Sequence, residues 1–117
     1  MKEFLLLFRG GDDKRISAQQ SPEKFQQHMR KWKSWMENLG KKGKFIAGQP
    51  LAREGSVIRG HTKVVTDGPF VEGKEMVGGY LMVKANDLRE AVELSKDCPI
   101  FEYDGTVEVR EVEELRI

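Results

Sequence analysis

"MVGGYLMVKANDLREAVELSKDCP", residues 76–99, passes from an apolar run through a short polar link into a second apolar pattern of different period. Met76 to Ala85 is apolar and partly β-branched and carries two glycines near its start, which reads as a strand. Asn86-Asp87-Leu88-Arg89-Glu90 opens a helix. Asp87 can cap it, and Glu90, three residues on, completes a capping-box arrangement. Leu88, Ala91, Val92 and Leu94 are expected on its inner face. Pro99 limits it, because the residue before a proline avoids the α region. This half of the chain is therefore strand then helix, and the fold depends on whether the other half repeats that order.

It does. Phe4 to Phe8 is a short continuous apolar run closed by Arg9-Gly10-Gly11-Asp12, as in a strand buried on both faces. The polar segment up to Gln20 reads as a loop. Ser21-Pro22-Glu23 then starts a helix, with Ser21 as N-cap, Pro22 in the first turn and Glu23 near the positive end of the dipole. Phe25, Met29, Trp32, Met36 and Leu39 recur at spacings of four and three, the apolar stripe of an amphipathic helix. Gly40, with Lys41 and Lys42 beside it, is expected to stop the helix. Lys44 to Leu51 forms a second strand interrupted by Gly48 and Pro50, and Ser56 to Thr66 a hairpin turning at Arg59-Gly60-His61. Asp67-Gly68-Pro69-Phe70 has turn chemistry. Thr106 to Val112 alternates Val107 and Val109 against Glu108 and Arg110, a last strand.

The order β-α-β, hairpin, β-α-β predicts an α+β, ferredoxin-like single domain with an antiparallel sheet and two helices on one face. Two helices leave the other face bare, yet Phe4 to Phe8 and Tyr80 to Val83 are apolar on both sides. A second copy packed sheet to sheet would cover it, so a homodimer is expected.

At 117 residues the chain has room for one ordinary domain. Hydrophobic residues at 38% and charged residues at 33% describe a globular chain with a charged surface. A net charge of +1 supplies no field to collect nucleic acid or an anionic membrane. The single cysteine, Cys98, excludes an internal disulfide and suits a reducing cytoplasm. Phe4 to Phe8 is too short for a membrane span. The lysines and arginines around the first helix, Lys24, Arg30, Lys31, Lys33, Lys41 and Lys42, read as a solvated face, and nucleic-acid binding is not expected.

Few residues carry chemistry. Asp67, Glu72 and Glu75 read either as solvated charges around a structural turn or as carboxylates pointing into a cleft beside the sheet, where crowding would suit them to proton transfer and Lys74 would offset the repulsion. His28 shares a helix edge with Trp32 and Trp35. It reads either as a boundary histidine packed on an aromatic or as a general base in a pocket. His61, in the hairpin turn, is expected to be exposed. Cys98, at the carbonyl end of a helix, is a poor nucleophile. Gly78-Gly79 lies inside a strand and is no phosphate loop. No metal spacing is present and no cofactor is expected.

Several stretches together resemble a known family. Phe4 to Arg9, "HMRKW" at 28–32, "AGQPL" at 47–51, "VTDGPFVEGKEMVGGYLMV" at 65–83 and "GTVEVR" at 105–110 are similar to the YCII-related proteins, and more closely to the branch marked by an Asp-Gly-Pro-Phe signature. The resemblance implies a dimeric α+β barrel with subunits paired through their sheets. It also implies a pocket in which a helix histidine works with a later aspartate that directly precedes a proline, by likeness to muconolactone isomerase. His28 falls at the matching place. This chain has Cys98 before Pro99, with Asp97 one residue earlier, so Asp67, Glu72 and Glu75 are taken to supply the acid. A transcription-related label attached to some members has no mechanistic support in these residues.

The expectation is a cytoplasmic homodimer with a ligand pocket between helix and sheet, doing cofactor-free, isomerase- or lyase-like proton transfer on a small anionic metabolite. His28 is the base, Asp67, Glu72 and Glu75 the acids, Arg9 or Lys74 the anion anchor, and Trp32 and Tyr80 the ligand walls. The alternative is a non-catalytic ligand-binding or regulatory protein-interaction module.

Overall fold

β1 (Lys2–Arg9) alternates buried and half-buried residues, with Phe4, Leu6 and Phe8 turned into the core. The computed structural model describes residues 1–11, 21–68 and 75–116. In them β1 is followed by α1 (Pro22–Lys41), β2 (Phe45–Pro50), β3 (Gly55–Arg59), β4 (Val64–Gly68), β5 (Val77–Ala85), α2 (Leu88–Ser95), a 3-10 helix (Pro99–Tyr103) and β6 (Thr106–Glu111). Four strands form one sheet in the order β2-β5-β1-β6, every neighbouring pair antiparallel. With the β3-β4 ribbon set aside, the order is that of two interleaved βαβ units, the α+β ferredoxin-like arrangement.

Both helices cover the same face. Phe4, Leu6, Phe8, Leu81, Val83 and Ala85 from the sheet meet Trp35 and Leu39 of α1, Ala91 of α2, and Cys98 and Ile100 beyond it. Each fully buried large side chain, Phe4, Leu6, Leu81 and Val83 among them, contributes on the order of 1.5–3 kcal/mol. The Trp35 indole N–H donates to the Leu94 carbonyl at 3.1 Å, tying α1 to α2 across that core. Lys44, just before β2, reaches Glu90 of α2 at 2.8 Å. That hydrogen bond, with the Asn86 N–H behind it, holds the Glu90 carboxyl below the usual carboxylate range. On the far side of the sheet, Leu5, Leu7, Tyr80 and Met82 are half-buried.

The helix ends show where local signals compete. The Ser21 side chain accepts the Lys24 N–H at 3.2 Å, as an N-cap should. At the other end α1 runs through Gly40 to Lys41, and the left-handed residue is Gly43, with φ 70°. Gly40 keeps its helical bonds, and the chain reverses only where a positive φ is needed. In α2 the Asp87 carboxylate accepts the Glu90 N–H at 2.9 Å, while Glu90 reaches back to the N–H of Asn86 rather than that of the cap residue. The expected inner face of α2 is corrected too. Ala91 and Ser95 are buried and Leu94 partly so, but Leu88 and Val92 face outward. Small residues let this eight-residue helix sit close to the sheet, and Ser95 is admitted because its hydroxyl donates to the Ala91 carbonyl at 2.8 Å.

The hairpin forms as a separate two-stranded ribbon with Ile58 opposite Val65. Asp67 and Gly68 are its last paired residues, opposite Ser56 and Gly55. Asp67 and Gly68, the first half of the expected turn, are thus the end of the ribbon. Pro69 and Phe70 lie outside the described residues, as does the loop expected before Ser21. The interruption expected at Gly48 and Pro50 does not occur, since β2 runs through both and its register shift falls between Phe45 and Ala47; a Cβ at Gly48 would run into the Leu81 side chain and sit 2.8 Å from the Tyr80 carbonyl oxygen. Glycine lets the edge strand close on β5. No helix among the described residues is long and apolar enough to cross a membrane.

Candidate functional site

α1 carries more apolar surface than the sheet can take. His28, Trp35 and Leu39 form the buried ridge of the helix, so the core ridge is rotated from the stripe that spacing alone suggested. Of that stripe Leu39 alone is buried, while Met29, Trp32 and Met36 turn sideways and line a cleft of about 430 Å³ between α1 and the β2 edge of the sheet. Phe8, Gly79, Tyr80 and Leu81 contribute the sheet side, and Leu51, Arg53 and Met76 border it. The lining is almost wholly apolar, and Arg53 is its one cation among the described residues. Such a site suits a ligand with an apolar body and few polar groups.

Behind the Trp32 wall lies His28, 3% exposed and absent from the cleft lining. The two residues are one helical turn apart, and the Trp32 indole N–H meets His28 Nε2 at 3.1 Å. An indole nitrogen can only donate, so Nε2 must be the accepting, unprotonated nitrogen. The imidazole proton is therefore on Nδ1, from which it points to Glu102 Oε2 at 3.1 Å. Lys31 holds the other oxygen, Oε1, at 2.8 Å. The Tyr103 ring stands edge-on to the imidazole, centroids 4.6 Å apart. Trp32 is packed in turn by Phe8 at 5.2 Å and Trp35 at 5.8 Å between ring centroids. Among the described residues no buried side-chain nitrogen or oxygen lacks a partner.

The Lys31 hydrogen bond is the largest influence on Glu102 and holds its carboxyl below the usual carboxylate range; the bond from His28 acts in the same direction, against partial desolvation. An ionised carboxylate on Nδ1–H fixes tautomer and ring orientation, the base-and-orienter half of a proton-transfer device. Cys98 is the opposite case: burial pushes its thiol up to about 12, which keeps it protonated and unreactive.

The other sequence candidates are spread out. Trp32 and Tyr80 line the cleft. Arg9 is held by Glu108 at 2.6 Å and does not line it. Asp67 is exposed at the end of the ribbon, and Glu75 is exposed beside the lining residue Met76. Glu72 and Lys74 lie outside the described residues. The carboxylate brought to His28 is Glu102, which sequence reasoning passed over. Its signal was present: Pro99 opens a tight turn, and Glu102 is an acid three residues into it. Arg53 was also missed, being an unremarkable charge beyond the end of a strand.

The YCII-related domain family matches residues 5–116. No curated protein matches the chain at a significant level. Among solved structures the chain is similar to 5-chloro-2-hydroxyhydroquinone dehydrochlorinase from Burkholderia phenoliruptrix AC1100 in complex with 2,5-dihydroxybenzoquinone. Identity is 17%, the match covers 95% of this chain and 93% of that chain, and the TM-score is 0.49. At that distance neither site residues nor substrate carry over.

Glu102→Ala strands the buried Nδ1–H of His28 and is expected to cost about 1–3 kcal/mol in urea denaturation at neutral pH. Glu102→Gln keeps an acceptor and should cost less. The carboxylate's ionic contribution is full above its ordinary value of 4.5 and is lost as pH falls through the lowered folded value. Because Glu102 is solvent-screened, that part is under about 1 kcal/mol. Stability of Glu102→Gln should therefore fall less steeply than wild type in acid, and equal slopes would contradict the pairing.

Proposed function

The chain belongs to the YCII-related family, and from that premise we propose that it binds a small anionic metabolite with an apolar, ring-like body in the α1 cleft and moves a proton on it without a cofactor. The observation that carries this reading is the hydrogen-bonded row from the cleft wall inward, Trp32 to His28 to Glu102. His28 is the base, oriented by Glu102. Trp32 is the ring contact, and Arg53 is the anion anchor at the border. Of the expected acids, Glu75 beside the lining residue Met76 is the candidate for returning the proton. A carbon acid next to a carbonyl fits this equipment, in the manner of an isomerase or lyase.

A second reading is supported by one specific observation. The lone pair of His28 Nε2 is engaged by Trp32, so the empty site holds no free base. On that ground a non-catalytic binding module is the alternative.

We also propose that the protein is a homodimer joined through the uncovered sheet face, where Leu5, Leu7, Tyr80 and Met82 form an apolar stripe. The ribbon supports this, with Ile58 and Val65 exposed. An isolated two-stranded ribbon is marginal in water and gains from a neighbour. Sedimentation should show a dimer for wild type and a monomer for Met82→Glu; a wild-type monomer would rule the pairing out.

For the ligand, a panel of ring-bearing carboxylates that includes phenylpyruvate is expected to quench tryptophan emission. Arg53→Ala should weaken that binding about tenfold, the scale of one charge-assisted hydrogen bond. Phenylpyruvate should also exchange its benzylic hydrogens with deuterated solvent faster in the protein than in buffer, and His28→Gln should remove the acceleration. Binding without exchange would leave the binding module standing. Neither quenching nor exchange would defeat both readings.

A further inference from the structure

Nothing in a base-and-orienter pair calls for a tryptophan N–H on the basic nitrogen, yet Trp32 places one there. The contact is 3.1 Å, inside a network where His28 is 3% exposed. Two consequences follow from donor count alone. A neutral His28 in this tautomer has no other lone pair to offer, because Nδ1 carries its proton toward Glu102. A proton on Nε2 would set N–H against N–H, so the Trp32 contact as it stands requires that nitrogen to be bare. The charged groups near the ring do not change this. Glu102 approaches from the 3-10 helix on the Nδ1 side, and Lys31 reaches only the far oxygen of Glu102.

The same indole is a wall of the cleft. A ligand entering there meets the ring whose N–H occupies the base. Phe8 of β1 and Trp35 of α1 stand at steep angles to Trp32, which supports the ring in the capped position.

We propose that Trp32 gates His28: in the empty cleft its N–H caps the basic nitrogen, and proton transfer at this site is conditional on a ligand with an acceptor oxygen drawing that N–H away. Trp32 is on this view a positioning residue whose release couples occupancy of the cleft to the appearance of a base. The idea deepens the proton-transfer reading and rests on His28 being the base. It also supplies what that reading otherwise lacks, a reason for an idle site to be inert.

The test needs no ligand, so its outcome is separate from that of the exchange experiment. Diethyl pyrocarbonate acylates an imidazole nitrogen only through a free lone pair. The chain has two histidines, and His61, exposed in the ribbon turn, serves as the internal reference. Peptide mass spectrometry gives the ratio of acylation rates, His28 to His61. Wild type is expected to give a low ratio. Trp32→Phe, which keeps a ring and removes the N–H, should raise it about fivefold to tenfold, the opening that one neutral hydrogen bond accounts for. Replacing Trp32 by 3-benzothienylalanine exchanges the N–H for sulfur within the same ring outline, and should raise the ratio to a similar degree with the packing intact. Phe8→Leu, which loosens the packing on Trp32 but leaves its N–H, should keep the ratio near wild type. If the benzothienyl variant reacts like wild type, or Phe8→Leu opens His28 as much as Trp32→Phe does, the cap is packing rather than hydrogen bonding and the proposal is overturned.

Discussion

An indole N–H can donate and cannot accept, and the chemistry of this site follows from that. Because the Trp32 indole N–H donates to His28 Nε2, that nitrogen is bare, the ring proton is on Nδ1, and an acceptor is needed on the other side. Glu102 stands there, held ionised by Lys31 and seated by the 3-10 helix that Pro99 begins. Every buried polar atom in the row is thereby satisfied, which makes a nearly fully buried histidine tolerable in an otherwise apolar core.

The cleft has the same origin as the core. α1 is apolar over an arc wider than the sheet can cover. Trp35 and Leu39 fill the space over β1 and β5, and the surplus, Met29, Trp32 and Met36, overhangs the glycine-lined edge where β2 meets β5. Gly48 and Gly79 keep that edge low. Two methionines and a tryptophan over a glycine-rich edge leave a volume that the chain does not fill. The cleft thus arises from the mismatch between one helix and one sheet edge, with Leu51, Arg53 and Met76 at its border.

Much of the scaffold was legible in residue pattern because it rests on local signals. The Ser21-Pro22-Glu23 start, the Asp87 cap, the alternation of β6 and the two halves of the fold all depend on neighbours within a few positions. What pattern could not supply was direction. The stripe Phe25, Met29, Trp32, Met36 and Leu39 defines a face of α1, but which side of it sinks into the core depends on where the sheet lies. His28 was legible as a neighbour of Trp32, four residues on. Its partner was not, since Glu102 is 74 positions away and is delivered by the path of the chain after α2. The acids of the Asp-Gly-Pro-Phe segment drew the eye by crowding in sequence, and Asp67 shows how weak that warrant is: pairing with Ser56 at the ribbon end decides its place.

The tautomer of His28 is the most direct point of test. A long-range nitrogen–proton correlation spectrum of the 15N-labelled protein at neutral pH is predicted to show His28 protonated on Nδ1, with Nε2 bare and shifted by a hydrogen bond. The exposed His61 supplies the second imidazole pattern in the same spectrum. A proton on Nε2 of His28 in the native protein would contradict the Trp32 contact, and with it the Glu102 pairing and the gate.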